Sequence, residues 1–425
     1  MAAAKTDPQT PFSLDSYHVS KELGFILPEP LEELPPYYKP WMDITLRIPE
    51  LVYSHELRSN IDKMPLLSSN FLQKHRELRL AHLALSMMTM GYVWQEGEND
   101  TVEILPCNLA VPYWEVSQRL GLPPILTHAD GVLANWKKKD PEGPFNMENL
   151  ELLVSLPGGD SVRGFFLVTL LVELAGVPAV RVKITPYVLN IGTVINSVRC
   201  GDTEAVARAL EDIAQSIQDM TDTLKLMQVY VEPSIFYGVL RIYLSGWKDN
   251  PCMPKGLIYE GVQTEPMEFS GGSAAQSSLL HCFDELLGIK HEAKSGDFLT
   301  RMRNYMPPAH KELIEDISLQ PSLRNFVQQQ TNEHLNQAFH LCVTKLLAFR
   351  SYHISIVSRF ITVPAARARQ LRNESHGLEE DMISRAPTAL EERGTGGSGI
   401  MTFLKSVRDQ TKNVFLFETG KDMNL

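Results

Sequence analysis

Hydrophobic positions recur at three- and four-residue steps over most of the chain, the period of helices buried along one face. Phe71, His75, Leu78, His82, Leu85 and Met88 predict a first helix over 70–92. A polar turn at 96–100 precedes 101–105, read as a short hairpin, and helical spacing resumes over 109–120. Beyond the turn at 157–160 the pattern predicts helices near 161–176, 203–230, 233–246, 274–288, 295–305, 308–318 and 332–362.

The interruptions set the boundaries. Six prolines between Phe25 and Pro49 predict extended chain and turns in place of helix. The stretch 136–146 breaks periodicity and reads as a connector, and Pro364 is expected to stop the last long helix. Residues 365–399, poor in sustained apolar spacing and ending in a glycine-rich run, are expected to form a mobile, lid-like loop. The fold expected is mainly α, with a small mixed N-terminal domain (1–156) packed on a large all-helical domain (157–425).

Composition narrows the function classes. At 425 residues, 44% of them hydrophobic and 21% charged, the chain can enclose a large pocket. Forty basic against 51 acidic side chains, a formal charge of -11, argue against nucleic acid or an anionic membrane as a partner. The longest apolar run, 165–172, ends at Glu173, short of the ~20 residues a bilayer span needs, so no membrane partner is expected. Met1 to Phe12 lacks the apolar core of a secretory signal, which predicts a cytoplasmic protein. Five widely spaced cysteines, with no CxxC pair, predict reduced, buried or inert thiols rather than a disulfide framework or a zinc site.

Candidate chemistry concentrates on a few stripes. On the last long helix, Phe339, Val343, Leu346, Arg350, His353, Val357 and Phe360 form one row, so two polar side chains interrupt a core-facing face. Haem answers both, the imidazole binding iron and the guanidinium a propionate. A hydrogen-bonded core histidine beside an arginine paired with an internal carboxylate is the commoner answer to such a stripe taken alone. His75 and His82 share a helical face but lack an acidic third ligand, and read as packing. Within 236–244, Phe236 supplies an aromatic wall while Tyr237 and Arg241, four apart, share a face; the set suits an amino acid with a flat ring and a carboxylate, or else is ordinary packing. The small-residue loop 270–278 allows close backbone approach to a flat ligand, or is a tight turn with a serine cap, and lacks the Gly-Lys-Ser/Thr ending of a phosphate loop.

Taken together, Arg350-Ser351-Tyr352-His353, the run 240–247, Gly271 to Ser278, the sequence at 133–141, Gly164 to Val168, 305–310 and Gly394-Thr395-Gly396-Gly397 resemble the indoleamine 2,3-dioxygenase family over nearly the whole chain. That resemblance implies haem b with His353 as proximal iron ligand, Arg350 supporting a propionate, and Gly272 and Ser273 at the cofactor. It places Phe165, His128 and Phe236 at the indole pocket, Arg241 on the substrate carboxylate, Thr395 and Ser273 against substrate and haem edge, and Thr169 in the reactive region, where serine is usual. The implied activity is addition of O2 across C2 and C3 of the indole of L-tryptophan, giving N-formylkynurenine, with related indoleamines as further substrates and an electron donor keeping the iron ferrous.

Three positions depart from the better-known pattern: His128 for tyrosine, Gly131 for cysteine and Tyr237 for phenylalanine, changes expected to enlarge or polarise the pocket. Two other readings compete. A haem protein of the same fold that binds or senses oxygen has no use for the clamp at Arg241. A signalling scaffold with SH2-type partners would use Tyr113 or Tyr259, and requires one of them to be accessible.

Overall fold

The helix Glu333–Val357 begins where the Asn332 side chain accepts the Leu335 N–H, and Thr203–Leu224 where Asp202 accepts that of Ala205. These two helices pack along one another, burying Val206, Leu210, Ile213 and Ile217 against Leu335, Phe339, Val343 and Leu346. The helix Asp160–Ala175 lies against Thr203–Leu224, while Ile400–Lys412 covers another side of Glu333–Val357. The fold is mainly α-helical, as the periodicity predicts. The computed structural model describes residues 11–180, 190–374, 388, 394 and 399–416.

In the N-terminal part, His75–Trp94 is buried along nearly its whole length. Its first turn is closed by Glu77, whose carboxylate accepts the N–H groups of Gln73 and Lys74 at 2.7 and 3.0 Å. Cys107–Leu120 packs beside it, and Trp94 Nε1 donates to Ser245 O at 3.0 Å, tying this part to the turn that carries Arg241. At 164 only glycine fits, because a Cβ there would sit 2.1 Å from the Tyr230 carbonyl oxygen.

Several expectations need correction. Pro40 and Pro49 do not forbid helix: they occupy the first turns of Lys39–Thr45 and Ile48–Tyr53, where a missing N–H costs nothing. Pro364 likewise opens a new helix, Val363–Glu374, after a π-helical turn at Ser358–Thr362. The strand Ile104–Leu105 is not part of a hairpin; it pairs in parallel with Ile258–Tyr259, far along the chain. The connector contains a strand, Lys137–Lys138, paired antiparallel with Leu150–Glu151. Of the expected lid, 365–374 is helical, and 375–387, 389–393 and 395–398 lie outside the described residues. The segment read as one helix over 233–246 changes type along its length, from α (Pro233–Ile235) through a π turn (Phe236–Leu240) to a 3-10 turn (Arg241–Leu244).

Counting only unbroken apolar runs understates the apolarity of the stretch Asp160–Ala179, which by length and composition matches a membrane span. Two thirds of its most apolar window, 67%, is buried inside the fold, the behaviour of a core helix. Cys282 and Cys342 are buried, whereas Cys107 and Cys200 are exposed; all five thiols are free.

Candidate functional site

The helices Asp160–Ala175 and Glu333–Val357, the segment 236–244 and the loop 272–277 enclose a cavity of about 290 Å³. His128, Phe165, Thr169, Phe236, Arg241, Gly272, Ser273, Arg350 and His353 all line it, so segments far apart in the chain converge on one wall-to-wall site. Gly394 also reaches it, whereas Thr395 lies outside the described residues.

Aromatic side chains form one end. The rings of Phe165 and Phe236 lie 5.1 Å apart, and Phe360 meets Phe236 edge-on at 6.0 Å. Both Phe236 and Phe360 sit in π-helical turns that pack against each other. The extra residue in such a turn rotates the next side chains relative to a regular helix, a device that concentrates at functional sites. Leucine, isoleucine, valine and methionine side chains supply much of the remaining lining.

Arg241 is 1% exposed and lies over the Tyr237 ring, its guanidinium carbon 5.8 Å from the centroid. Burial lowers its pKa to about 10, against which Tyr237 acts, so it remains a cation near neutral pH. Tyr237 is buried outside the cavity, and its hydroxyl makes no hydrogen bond among the described residues.

His353 presents its ring to the cavity, and no hydrogen bond to it forms among the described residues. Burial, the sole cause, lowers its pKa to about 4 and leaves a neutral imidazole, the form that ligates a metal. The loop that lines the same cavity is pinned by its own hydrogen bonds. Ser273 Oγ accepts the Ala275 N–H at 3.2 Å, while Gln276 accepts the His128 N–H at 3.0 Å and donates to Gly271 O at 2.9 Å. A Cβ on Gly272 would meet only the Leu126 carbonyl oxygen, at 3.5 Å, so small residues leave room for a flat group. A neutral imidazole and a small-residue loop lining one apolar cavity fit haem.

Arg350 already has protein partners. Its Nη2 donates to Asp284 Oδ1 at 2.6 Å and its Nη1 to Thr411 Oγ1. His291 Nε2 donates to the other oxygen, Oδ2, at 2.9 Å. Burial on its own would raise the Asp284 carboxyl, but Arg350 and His291 hold it at about 2. The internal-carboxylate alternative therefore describes the placement of Arg350, which nevertheless lines the cavity.

Sequence reasoning passed over a second polar group. Glu173, only 6% exposed, lines the cavity and accepts two hydrogen bonds on Oε1: from His128 Nε2 at 2.9 Å and from Ser277 Oγ at 2.6 Å. The available signal was spacing, since Phe165, Thr169 and Glu173 follow at four-residue steps on one helix. Gly131 does not enlarge the cavity as expected: a Cβ there would lie 2.7 Å from the Phe166 ring, which takes the space. His128 does polarise the wall.

Tyr113 and Tyr259 are both 0% exposed, and the Tyr259 hydroxyl donates to Pro124 O at 2.6 Å, so neither meets the accessibility the scaffold reading requires. His82 is a packed core histidine, its Nδ1 2.8 Å from Asp130 Oδ1.

Comparison with known proteins agrees with this geometry. A family model described as indoleamine 2,3-dioxygenase matches residues 13–414. The chain is 52% identical over 410 residues to indoleamine 2,3-dioxygenase 2 of Homo sapiens, covering 96% of this chain and 97% of the relative. It is 47% identical over 406 residues to indoleamine 2,3-dioxygenase 1 of Rattus norvegicus, covering 95% and 96%. A protein named myoglobin from Haliotis madaka is 38% identical over 405 residues, covering 94% and 98%.

Proposed function

Since the chain belongs to the indoleamine 2,3-dioxygenase family, we propose that it opens the indole ring of L-tryptophan with O2 to give N-formylkynurenine, working in the cytoplasm with an electron donor that keeps its iron reduced. One observation carries the reading: an aromatic wall, a buried arginine and a neutral imidazole line a single apolar cavity. Haem, which His353 would hold with Arg350 toward a propionate, would supply the iron and the redox chemistry that activates oxygen.

The protein's own residues do the rest. Phe165 and Phe236, packed on one another, offer one aromatic wall to a flat ring, and Arg241 takes a carboxylate as a charge-assisted pair, fixing which edge of the ring meets the reacting centre. Apolar walls exclude water, which strengthens the arginine–carboxylate attraction. Gly272 and Ser273 complete the enclosure in this reading.

The myoglobin-named relative keeps an oxygen carrier in view, and Arg241 separates the two. The haem-loaded protein, reduced and in air, is expected to form N-formylkynurenine, and Arg241→Ala to lower kcat/KM by about 2–5 kcal/mol while still taking up haem. His353→Ala is expected to bind haem weakly or not at all, read from its absorption band. Oxygen binding without product in the parent protein would favour the carrier, and a normal haem spectrum in His353→Ala would remove that residue as ligand.

A further inference from the structure

We propose that His281, held by Arg303, is a positioning residue: together with Tyr305 it fixes the small-residue loop 270–277 in the shape that receives the flat cofactor. This rests on the haem reading of the cavity.

The loop lines the cavity with small side chains, Gly272, Ser273, Ala274, Ala275 and Ser277, which offer little packing to hold its shape. Residues 302–305 grip it along its length. At its start, Tyr305 Oη accepts the Ser270 N–H at 2.8 Å, and near its end Met302 Sδ lies 3.8 Å from Gln276 Nε2. Between these points the Ala275 carbonyl accepts from His281 Nε2 at 2.8 Å, and Arg303 Nε donates to His281 Nδ1 at 3.2 Å. Arg303 is itself anchored, its Nη2 donating at 2.6 Å to Glu285 Oε1, one turn beyond His281 on the helix Ser278–Leu287.

The two partners dictate the state of the ring. A guanidinium can only donate and a carbonyl can only accept, so the group between them must turn an acceptor to Arg303 and a donor to Ala275. A neutral imidazole with its proton on Nε2 does both. The other tautomer fails at both ends, and the imidazolium fails at Arg303. Burial, foremost, and the Arg303 charge lower the pKa of the ring to about 4, although the Ala275 carbonyl acts the other way. With its lone pair turned to Arg303 and its proton to Ala275, His281 has no nitrogen to offer iron, even though it lines the same cavity as His353. Its role is instead to order the loop before a ligand arrives, which removes an entropy cost from binding.

The test uses the full chain and reads two quantities: amide hydrogen exchange of the peptide covering 270–277 before haem is added, and haem affinity from the growth of its visible band. His281→Gln keeps the polarity, with an amide oxygen for Arg303 and an amide N–H for Ala275, whereas His281→Leu fills the space and supplies neither. In His281→Leu the loop amides are expected to exchange about tenfold faster and haem to bind about tenfold more weakly, while His281→Gln stays within about threefold of the parent in both. Tyr305→Phe, which deletes only the hydroxyl that meets Ser270, is expected to speed exchange at that end of the loop. Parent-like loop exchange in His281→Leu overturns the proposal. So does an equal change in the leucine and glutamine variants, which would make the packing of the ring, rather than its order of donor and acceptor, the cause. A loosened loop with unchanged haem affinity overturns the positioning role and leaves only a local tie. Exchange in Thr203–Leu224 and Glu333–Val357 reports whether each variant has folded. Should His281→Leu fail there, Tyr305→Phe decides, and unchanged loop exchange in that variant rejects the proposal. If the parent chain takes up no haem, the haem reading fails, while the exchange comparison still decides whether His281 and Tyr305 hold the loop.

Discussion

Two buried histidine–carboxylate pairs border the same cavity, and they are wired differently. Asp284 commits one oxygen to Arg350 and the other to His291. Glu173 receives both of its donors on one oxygen. The first carboxylate is closed, with its charge balanced by a neighbouring cation and both oxygens engaged, and it braces the helix that carries His353. The second is half-satisfied and turned toward the ligand space. A carboxylate in a cavity wall is thus classified by its unused oxygens rather than by its burial.

The largest break in this comparison comes from removing the closed carboxylate. Asp284→Ala leaves the Arg350 guanidinium buried without its protein anion, and about 3–5 kcal/mol of stability is expected to disappear, measured by denaturant unfolding of the haem-free chain. A cost below about 1 kcal/mol would mean that the guanidinium is satisfied without Asp284, and that the protein pair is not what closes this side.

Acid sharpens the contrast. The Asp284 carboxyl sits at about 2 in the fold against 3.8 ordinarily. A depressed carboxyl stabilises the fold above its unfolded pKa, and that contribution is lost as pH falls through the folded value. From about pH 4 down to about pH 2 the fold is therefore expected to lose on the order of 2 kcal/mol through this group. Stability measured against pH should flatten over that interval in Asp284→Asn. An acid limb identical in slope to that of the parent protein would assign the loss to other groups.

The contrast also marks how far the sequence could be read. Periodicity displayed the core helices, and the row from Phe339 to Phe360 placed His353 and Arg350 on one face, because those relations are local to a helix. What Arg350 meets is not local: Asp284 lies 66 residues away and Thr411 lies 61. Glu173 was visible as the charge that ends an apolar run, in step with Phe165 and Thr169, but its partners stand 45 and 104 residues off. Proline misled in the other direction. Pro40, Pro49 and Pro364 were read as breakers, but a first-turn proline and an interior one look alike until the fold shows where each helix starts. At Gly131 the missing side chain suggested open space, and only the packing reveals that Phe166 fills it.

The smallest effect is expected on the open side, and it is the more discriminating for being small. Ser277→Ala deletes one of the two donors to Glu173 Oε1 and leaves the bond from His128 in place. A hydrogen bond to a charged acceptor is usually worth about 1.5–3 kcal/mol, but Glu173 faces a cavity from which water can replace the lost hydroxyl. A cost of about 1 kcal/mol in the same unfolding assay is therefore expected, well below that of Asp284→Ala. Should the two substitutions prove equally damaging, Glu173 would be as closed as Asp284, and the distinction between a bracing carboxylate and a ligand-facing one would not survive.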